Sequence, residues 1–216
     1  MATEINAKKR CVIIAGAPCG DAAFVRETVR GGDFVICADR GFQTALAAEV
    51  APDLLVGDFD SCTAALPDGV PVVRLKPEKD FSDALHAACE ALGRGFREIV
   101  LIAATGGRLD HTLANLSVLE YLRENGAEGI ILSRNESIRV LPEGEYAFAS
   151  CRGLTFSVFP FGCESVTLSY SGAKYPLSRG TLSHALAVGL SNIFVENEAS
   201  VTVHAGTALM ITEREV

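Results

Sequence analysis

The first part of the chain alternates short, almost unbroken apolar runs with longer segments whose apolar residues recur at helical spacing. The runs at 11–15, 34–38, 54–56, 70–75, 99–103 and 130–132 predict strands. Helices are predicted over 21–30, 42–50, 82–92 and 110–123, with Pro52 breaking the second, Ser82 capping the third and Gly93 near its end. Leu113, Leu116, Leu119 and Leu122 are assigned to one apolar face of the last helix and so to the core. Repeated strand–helix alternation is the signature of a mostly parallel sheet covered by helices on both faces. Near Pro142-Glu143-Gly144 the pattern changes. Leu-Thr-Phe-Ser-Val-Phe from 154, Ser-Val-Thr-Leu-Ser-Tyr from 165 and Ser-Val-Thr-Val-His from 200 alternate with period two between turns bearing Gly or Asn. The expected fold class is α/β, with a parallel N-terminal domain at 1–143 and a smaller antiparallel β-sandwich at 144–216.

The chemistry concentrates where strands end. Leu54-Leu55-Val56 runs into Gly57-Asp58-Phe59-Asp60-Ser61, a buried strand followed by a sharp turn that delivers two acids at i, i+2 to the rim of the sheet. Open α/β sheets bind ligands at that rim. Two further acid-bearing stretches follow, Lys79-Asp80-Phe81-Ser82-Asp83 at a helix start and Gly106-Gly107-Arg108-Leu109-Asp110-His111 after a strand. Carboxylates about 4 Å apart repel by roughly 4 kcal/mol at an effective dielectric near 20, so a cluster of them needs a cation. With no Cys or His ligands close by, the donor set favours a hard ion such as Mg²⁺, and Mg²⁺ points to phosphate. A lone Asp-x-Asp is more simply a helix cap or a solvated turn; three such clusters at element ends favour a site. The turn at 16–20 lacks the Lys-Ser/Thr of a P-loop and the third Gly of a dinucleotide fingerprint.

Composition narrows the partners. A chain of 216 residues fits one α/β domain with a small appendage, and a formal net charge of −8 argues against nucleic acid, so a phosphate ligand would arrive with a metal. Seven cysteines without Cys-x-x-Cys spacing read as reduced, mostly buried thiols. Residues 1–10 hold no apolar signal region and no stretch reaches 18 uncharged apolar residues, so a soluble cytoplasmic protein with no membrane partner is expected. The sequons at Asn115 and Asn135 are then coincidental.

Taken in order, Ala38-Asp39-Arg40-Gly41, Gly57-Asp58-Phe59-Asp60-Ser61, Lys79-Asp80-Phe81-Ser82-Asp83, Gly107-Arg108-Leu109-Asp110-His111 with Asn115, and Gly189-Leu190-Ser191-Asn192 resemble the thiamine pyrophosphokinase (thiamin diphosphokinase) family. The resemblance spans nearly the whole chain. It implies a nucleotide domain followed by a thiamine-binding sandwich, a homodimer with thiamine between subunits, and Mg²⁺-dependent transfer of pyrophosphate from ATP to the thiamine hydroxyl, releasing AMP. Where the family usually has Asp-Gly-Gly-Ala-Asn, this chain has Asp39-Arg40-Gly41-Phe42-Gln43.

The resemblance also implies roles. Asp58, Asp60 and Asp83 match the metal-binding acids, with Asp80 and Ser82 beside them and Asp39 near the substrate. A helix-start carboxylate is the alternative for Asp80. Arg108 suits bidentate contact with a phosphate, and Asp110 would orient it or a nucleotide hydroxyl; a surface ion pair is the alternative. His111 and Asn115 are placed in the same ligand-binding group, His111 more as a helix-start hydrogen-bonding residue than as an acid or base. In the sandwich, Ser169, Tyr175, Ser191 and Asn192 are assigned to thiamine, with Tyr175 offering its π face to a cationic ring. His86, His184 and His204 are assigned to structure. Two rivals stay open: an aspartyl-phosphate phosphatase, which wants its Asp-x-Asp near the first strand, and a non-catalytic nucleotide- or thiamine-binding module.

Overall fold

The computed structural model describes residues 10–17, 21–60, 62, 64–76 and 81–214. The chain forms two compact units, Met1–Arg134 and Asn135–Val216. The first contains β1 (Arg10–Ile14), α1 (Ala22–Thr28), β2 (Phe34–Ala38), α2 (Gly41–Ala47), β3 (Leu54–Gly57), β4 (Val72–Arg74), α3 (Asp83–Gly93), β5 (Glu98–Ile102), α4 (Leu109–Glu124) and β6 (Glu128–Leu132). Its strands are parallel throughout and lie side by side as β6-β5-β1-β2-β3-β4. The chain winds outward from β1 in one direction and then returns to place β5 on its other side, so the reversal of strand order falls beside β1.

Every residue of β1, β2 and β3 is buried, as the unbroken apolar runs require of strands covered on both faces. One side of the sheet is filled by Val12, Ile14, Val35, Cys37 and Leu55 against Phe24 and Val25 of α1 and Phe42 and Ala45 of α2. Helix α3 packs on β1, β2 and β3 and against α4. Its buried residues Ala84, Ala87, Ala88 and Ala91 are small, which lets the helix lie close to the strands. The short β4, whose ends are exposed, closes one edge.

Helix α4 corrects one sequence expectation. Its buried residues are Asn115, Val118, Leu119 and Leu122, whereas Leu113 is 56 % exposed. Leucines every third residue do not form one stripe: at 100° per residue, the nine steps from Leu113 to Leu122 amount to a half-turn, so the two point to opposite sides.

The second unit is all antiparallel. It contains β7 (Glu136–Leu141), β8 (Gly144–Ala149), β9 (Thr155–Pro160), β10 (Ser165–Ser171), β11 (Leu177–Ser183), β12 (Asn192–Ile193), β13 (Glu198–Ala205) and β14 (Ala208–Glu213). Strands β12-β9-β14-β7 form one layer and β11-β10-β13-β8 the other. Phe156 sits at the centre of the core between them, stacked on Phe194 at 4.3 Å and edge-on to Tyr170 at 5.3 Å. Strand β7 precedes the change of character at Pro142 yet pairs along its whole length with β14, which groups it with this unit. Cys11, Cys37, Cys62, Cys89, Cys151 and Cys163 are free thiols, and Cys19 lies outside the described residues. Among the described residues no helix is long and apolar enough to cross a membrane.

Two contacts pin the ends of the interior strand β1. Arg10, at the start of β1, forks onto Asp33 with Nε to Oδ1 at 2.9 Å and Nη2 to Oδ2 at 2.5 Å, and Asp33 also accepts the Arg30 N–H at 2.7 Å. At the opposite end of β1, Gly41 opens α2 so close to the strand that a Cβ there would stand 1.9 Å from the Ile14 carbonyl oxygen. Gly41→Ala should therefore lower stability by about 1–3 kcal/mol, read as a shift in urea midpoint at constant slope. Burial alone would raise the Asp33 carboxyl, but the Arg10 fork and the Arg30 N–H outweigh it and hold the group below the usual carboxylate range. Its stabilising contribution is then complete above the unfolded carboxylate pKa near 4 and disappears as pH falls through the lower folded value. Asp33→Asn should cost about 3 kcal/mol at neutral pH and flatten the acid limb of a stability–pH curve; an unchanged acid limb would assign the acid sensitivity to other carboxylates.

Candidate active site

The carboxyl ends of β1, β2, β3 and β5 share one edge of the parallel sheet, and Asp39, Asp58 and Asp60 gather there. Parallel pairing sets Ala38 of β2 beside Val56 of β3. The next residue of β2's chain, Asp39, therefore falls beside Gly57. Asp39 is bent into the left-handed region (φ 44°), with its N–H donated to the Val56 carbonyl at 2.8 Å and its own carbonyl accepting the Phe42 N–H at 3.1 Å as α2 begins. Gly57 makes room for this: a Cβ at that position would lie 3.1 Å from both the Asp39 Cα and N. Two residues on, Phe59 is also left-handed (φ 59°) and buries its ring in the core, while the Asp60 N–H is donated to Asp58 Oδ1 at 3.3 Å. A non-glycine residue in this conformation costs of order 1 kcal/mol or more, and here it turns Asp58 and Asp60 to the same side.

Carboxylate oxygens of Asp39, Asp58 and Asp60 consequently all lie within 4.8 Å of one another. Each charged pair at that distance repels by roughly 3 kcal/mol at an effective dielectric of 20, and Asp39 has one oxygen closed off from solvent. The group offers oxygen donors only, without sulfur or imidazole, which is the chemistry of a hard divalent cation such as Mg²⁺. Asp83 stands outside this group. It occupies the first turn of α3, directly after Ser82, whose Oγ caps the helix by accepting the Leu85 N–H at 3.2 Å. Of the three acids expected from sequence to bind metal, Asp58 and Asp60 fall in this group together with Asp39. Asp39 and Asp58 come together because β2 and β3 are hydrogen-bonded neighbours. Asp80 lies outside the described residues. Arg40, exposed at the head of α2, packs its stem against the loop after β1, where a Cβ on Gly16 would come 2.9 Å from the Arg40 Cβ.

The loop after β5 reaches the same edge. Ala103, Gly106 and Gly107 are all left-handed, and the chain then enters α4 through Arg108. Arg108 forks onto Asp110, Nε to Oδ1 at 3.1 Å and Nη2 to Oδ2 at 2.5 Å, and Asp110 Oδ1 also accepts the His111 N–H at 3.0 Å. The guanidinium holds the Asp110 carboxyl below its ordinary range. Both side chains remain well exposed, at 72 % and 62 %, so the pair is open to an incoming anion rather than sealed in the fold. Asn115 is buried, and its Nδ2 donates to the Ala104 carbonyl at 2.7 Å. It anchors the loop that carries Arg108.

In the second unit, Asn192 is buried and clamps the hairpin after β10, accepting the Tyr175 N–H at 3.1 Å and donating to the Tyr175 carbonyl at 2.8 Å. Tyr175 is 61 % exposed, and the Lys174 ammonium stands 5.5 Å from its ring centroid. Ser191 is left-handed (φ 57°) and donates its N–H to Ser157 Oγ at 3.0 Å. Ser169 accepts the Arg179 N–H at 2.9 Å and lies 2.8 Å from His204 Nε2, a contact that spacing along the chain does not reveal because it crosses from β10 to β13.

Comparison with known proteins gives a consistent answer for both units. Residues 25–131 match the profile described as "Thiamin pyrophosphokinase, catalytic domain", and residues 142–208 match "Thiamin pyrophosphokinase, vitamin B1 binding domain". The thiamine pyrophosphokinase of Bacillus subtilis is 28 % identical over 182 residues, covering 82 % of this chain and 85 % of its own, and a thiamine pyrophosphokinase 1 of Oryza sativa is 27 % identical over 167 residues, covering 70 % and 62 %. The crystal structure of the B. subtilis protein superposes with a TM-score of 0.85 at 25 % identity, over 96 % of this chain and all of that one. That of Geobacillus thermodenitrificans thiamin pyrophosphokinase gives 0.83 at 28 % identity, over 95 % and 98 %. With both units matched by profiles of one family, and with the fold shared from end to end, the chain belongs to the thiamin pyrophosphokinase family.

Proposed function

We propose that this chain is a thiamine pyrophosphokinase that moves the terminal pyrophosphoryl group of ATP onto the hydroxyl of thiamine. The hydroxyl oxygen bonds to the β-phosphorus, the bond from that phosphorus to the α–β bridging oxygen breaks, AMP leaves, and the hydroxyl proton is released. The observation that carries this reading is the convergence of Asp39, Asp58 and Asp60 at the carboxyl edge of a parallel sheet.

Those three carboxylates would hold Mg²⁺, which when bound supplies charge neutralisation for the phosphate oxygens. The residues of the chain do the positioning on which such transfers mainly rely. Gly57 and the two left-handed turns fix the acids before substrate arrives, so little reorganisation is needed at the moment of reaction. Arg108 presents a planar fork suited to phosphate oxygens, with Asp110 holding it in the extended loop and Asn115 holding the loop. Asp80, Asp83, Ser82 and His111 are assigned to the surroundings of the triphosphate. Tyr175, Ser169 and Ser191 are assigned to thiamine, Tyr175 through its exposed ring and Asn192 by clamping that residue's backbone. The reading implies a cytoplasmic homodimer with thiamine between subunits. A phosphatase nucleophile is disfavoured because Asp58 follows the third strand rather than the first.

Purified protein given ATP, Mg²⁺ and thiamine should form AMP and thiamin diphosphate in equal amounts, and formation of ADP or free phosphate instead would refute the transfer. Asp58→Asn should reduce turnover by well over tenfold while its thermal midpoint stays within a few degrees; full turnover would remove Asp58 from the site. Asp39→Asn and Asp83→Asn separate the two candidate metal sets. The Mg²⁺ concentration for half-maximal rate should rise about tenfold or more in the first and less in the second, and the reverse order would restore Asp83 as the third ligand.

A further inference from the structure

We propose that the open end of the second unit's sandwich is a binding site for a small organic anion, one carboxylate or phosphate group carried on a ring or short apolar chain. The argument starts from strand period. In β7, Ser137, Arg139 and Leu141 point to the same face, and Leu141 belongs to the sandwich core. The pairing of β7 with β14 sets Arg139 beside Met210 and Ser137 beside Thr212. Met210 is core and Thr212 is buried, whereas Arg139, between Ser137 and Leu141 on the same face, is exposed at the open end of the sandwich.

What faces it is space. A cavity of about 430 Å³ lies here, with Phe148, Leu154 and Met210 supplying apolar wall and Arg139, Arg214, Ser137 and Thr212 supplying polar groups. That volume is within the range of roughly 300–1,000 Å³ typical of small-molecule sites and suits a single ring with one charged group. Glu213, also at the rim, is engaged by the Thr155 N–H at 3.1 Å. Among the described residues no acceptor takes up the Arg139 guanidinium. An arginine cannot shed its charge, and its fork matches a carboxylate or phosphate in two parallel hydrogen bonds. An apolar wall beneath an uncommitted guanidinium therefore selects an amphipathic anion over inorganic phosphate or a neutral apolar molecule. The site uses none of the residues assigned to catalysis and stands whether or not the proposed activity holds.

The chain has two methionines, Met1 and Met210, so a methyl-labelled methionine sample carries a reporter inside this cavity. With phenyl phosphate as probe, the Met210 methyl resonance of the full chain should shift in a saturable way. Benzyl alcohol and inorganic phosphate should each need at least about tenfold higher concentration for the same shift, as should phenyl phosphate with Arg139→Ala, since a charge-assisted pair contributes on that scale. A Met210 signal that does not move, even if phenyl phosphate inhibits or binds elsewhere, overturns the proposal. So does an equal response to benzyl alcohol. Should Arg139→Ala fail to fold, the comparison of charged and neutral probes on the unaltered chain decides the matter alone.

Discussion

Three carboxylates held within 4.8 Å of one another are the constraint around which the first unit is arranged. Left to themselves, like charges at that spacing separate, and exposed side chains on free loops would do so. Here the backbone prevents it. Asp39 is fixed by its N–H bond to the Val56 carbonyl, and Asp58 and Asp60 flank a residue whose ring is buried in the core. The electrostatic cost is carried by packing elsewhere: completely buried strands and apolar helix faces stabilise a turn geometry that would not persist alone.

Other polar residues of the two units divide by exposure. Buried polar groups are committed to the fold: Asn115 to the Ala104 carbonyl, Asp33 to Arg10, Asn192 to the backbone of Tyr175. Exposed ones, Arg108 and Asp110 among them, satisfy each other in a pair that solvent already screens. A ligand phosphate can replace one half of an exposed pair at little cost, whereas displacing Asn115 would strand a buried carbonyl. The family resemblance placed Asn115 and Arg108 in one group. Burial separates them into the residue that holds the loop and the residue the loop presents.

The second unit follows the same division with different means. Its core is aromatic, centred on Phe156 between Phe194 and Tyr170, and its loops are tied by side-chain-to-backbone bonds. Tyr175 is held at the backbone and left exposed at the ring, the arrangement expected of a recognition residue on a rigid scaffold.

The sequence by itself determined the elements of the parallel sheet, the acids at their ends and the change to period-two strands near Pro142, because hydrophobic periodicity and turn residues act over a few neighbours. The family resemblance was visible at the same level, carried by short motifs in order. Tertiary structure decided what no local pattern contains: that β2 lies beside β3, which brings Asp39 to Asp58 and Asp60; that β7 pairs with β14; and that Leu113 faces solvent while Leu119 and Leu122 are buried. Strand order and register are set by contacts between residues far apart in the chain. The side chains that meet at a sheet edge are therefore known only once the sheet is assembled.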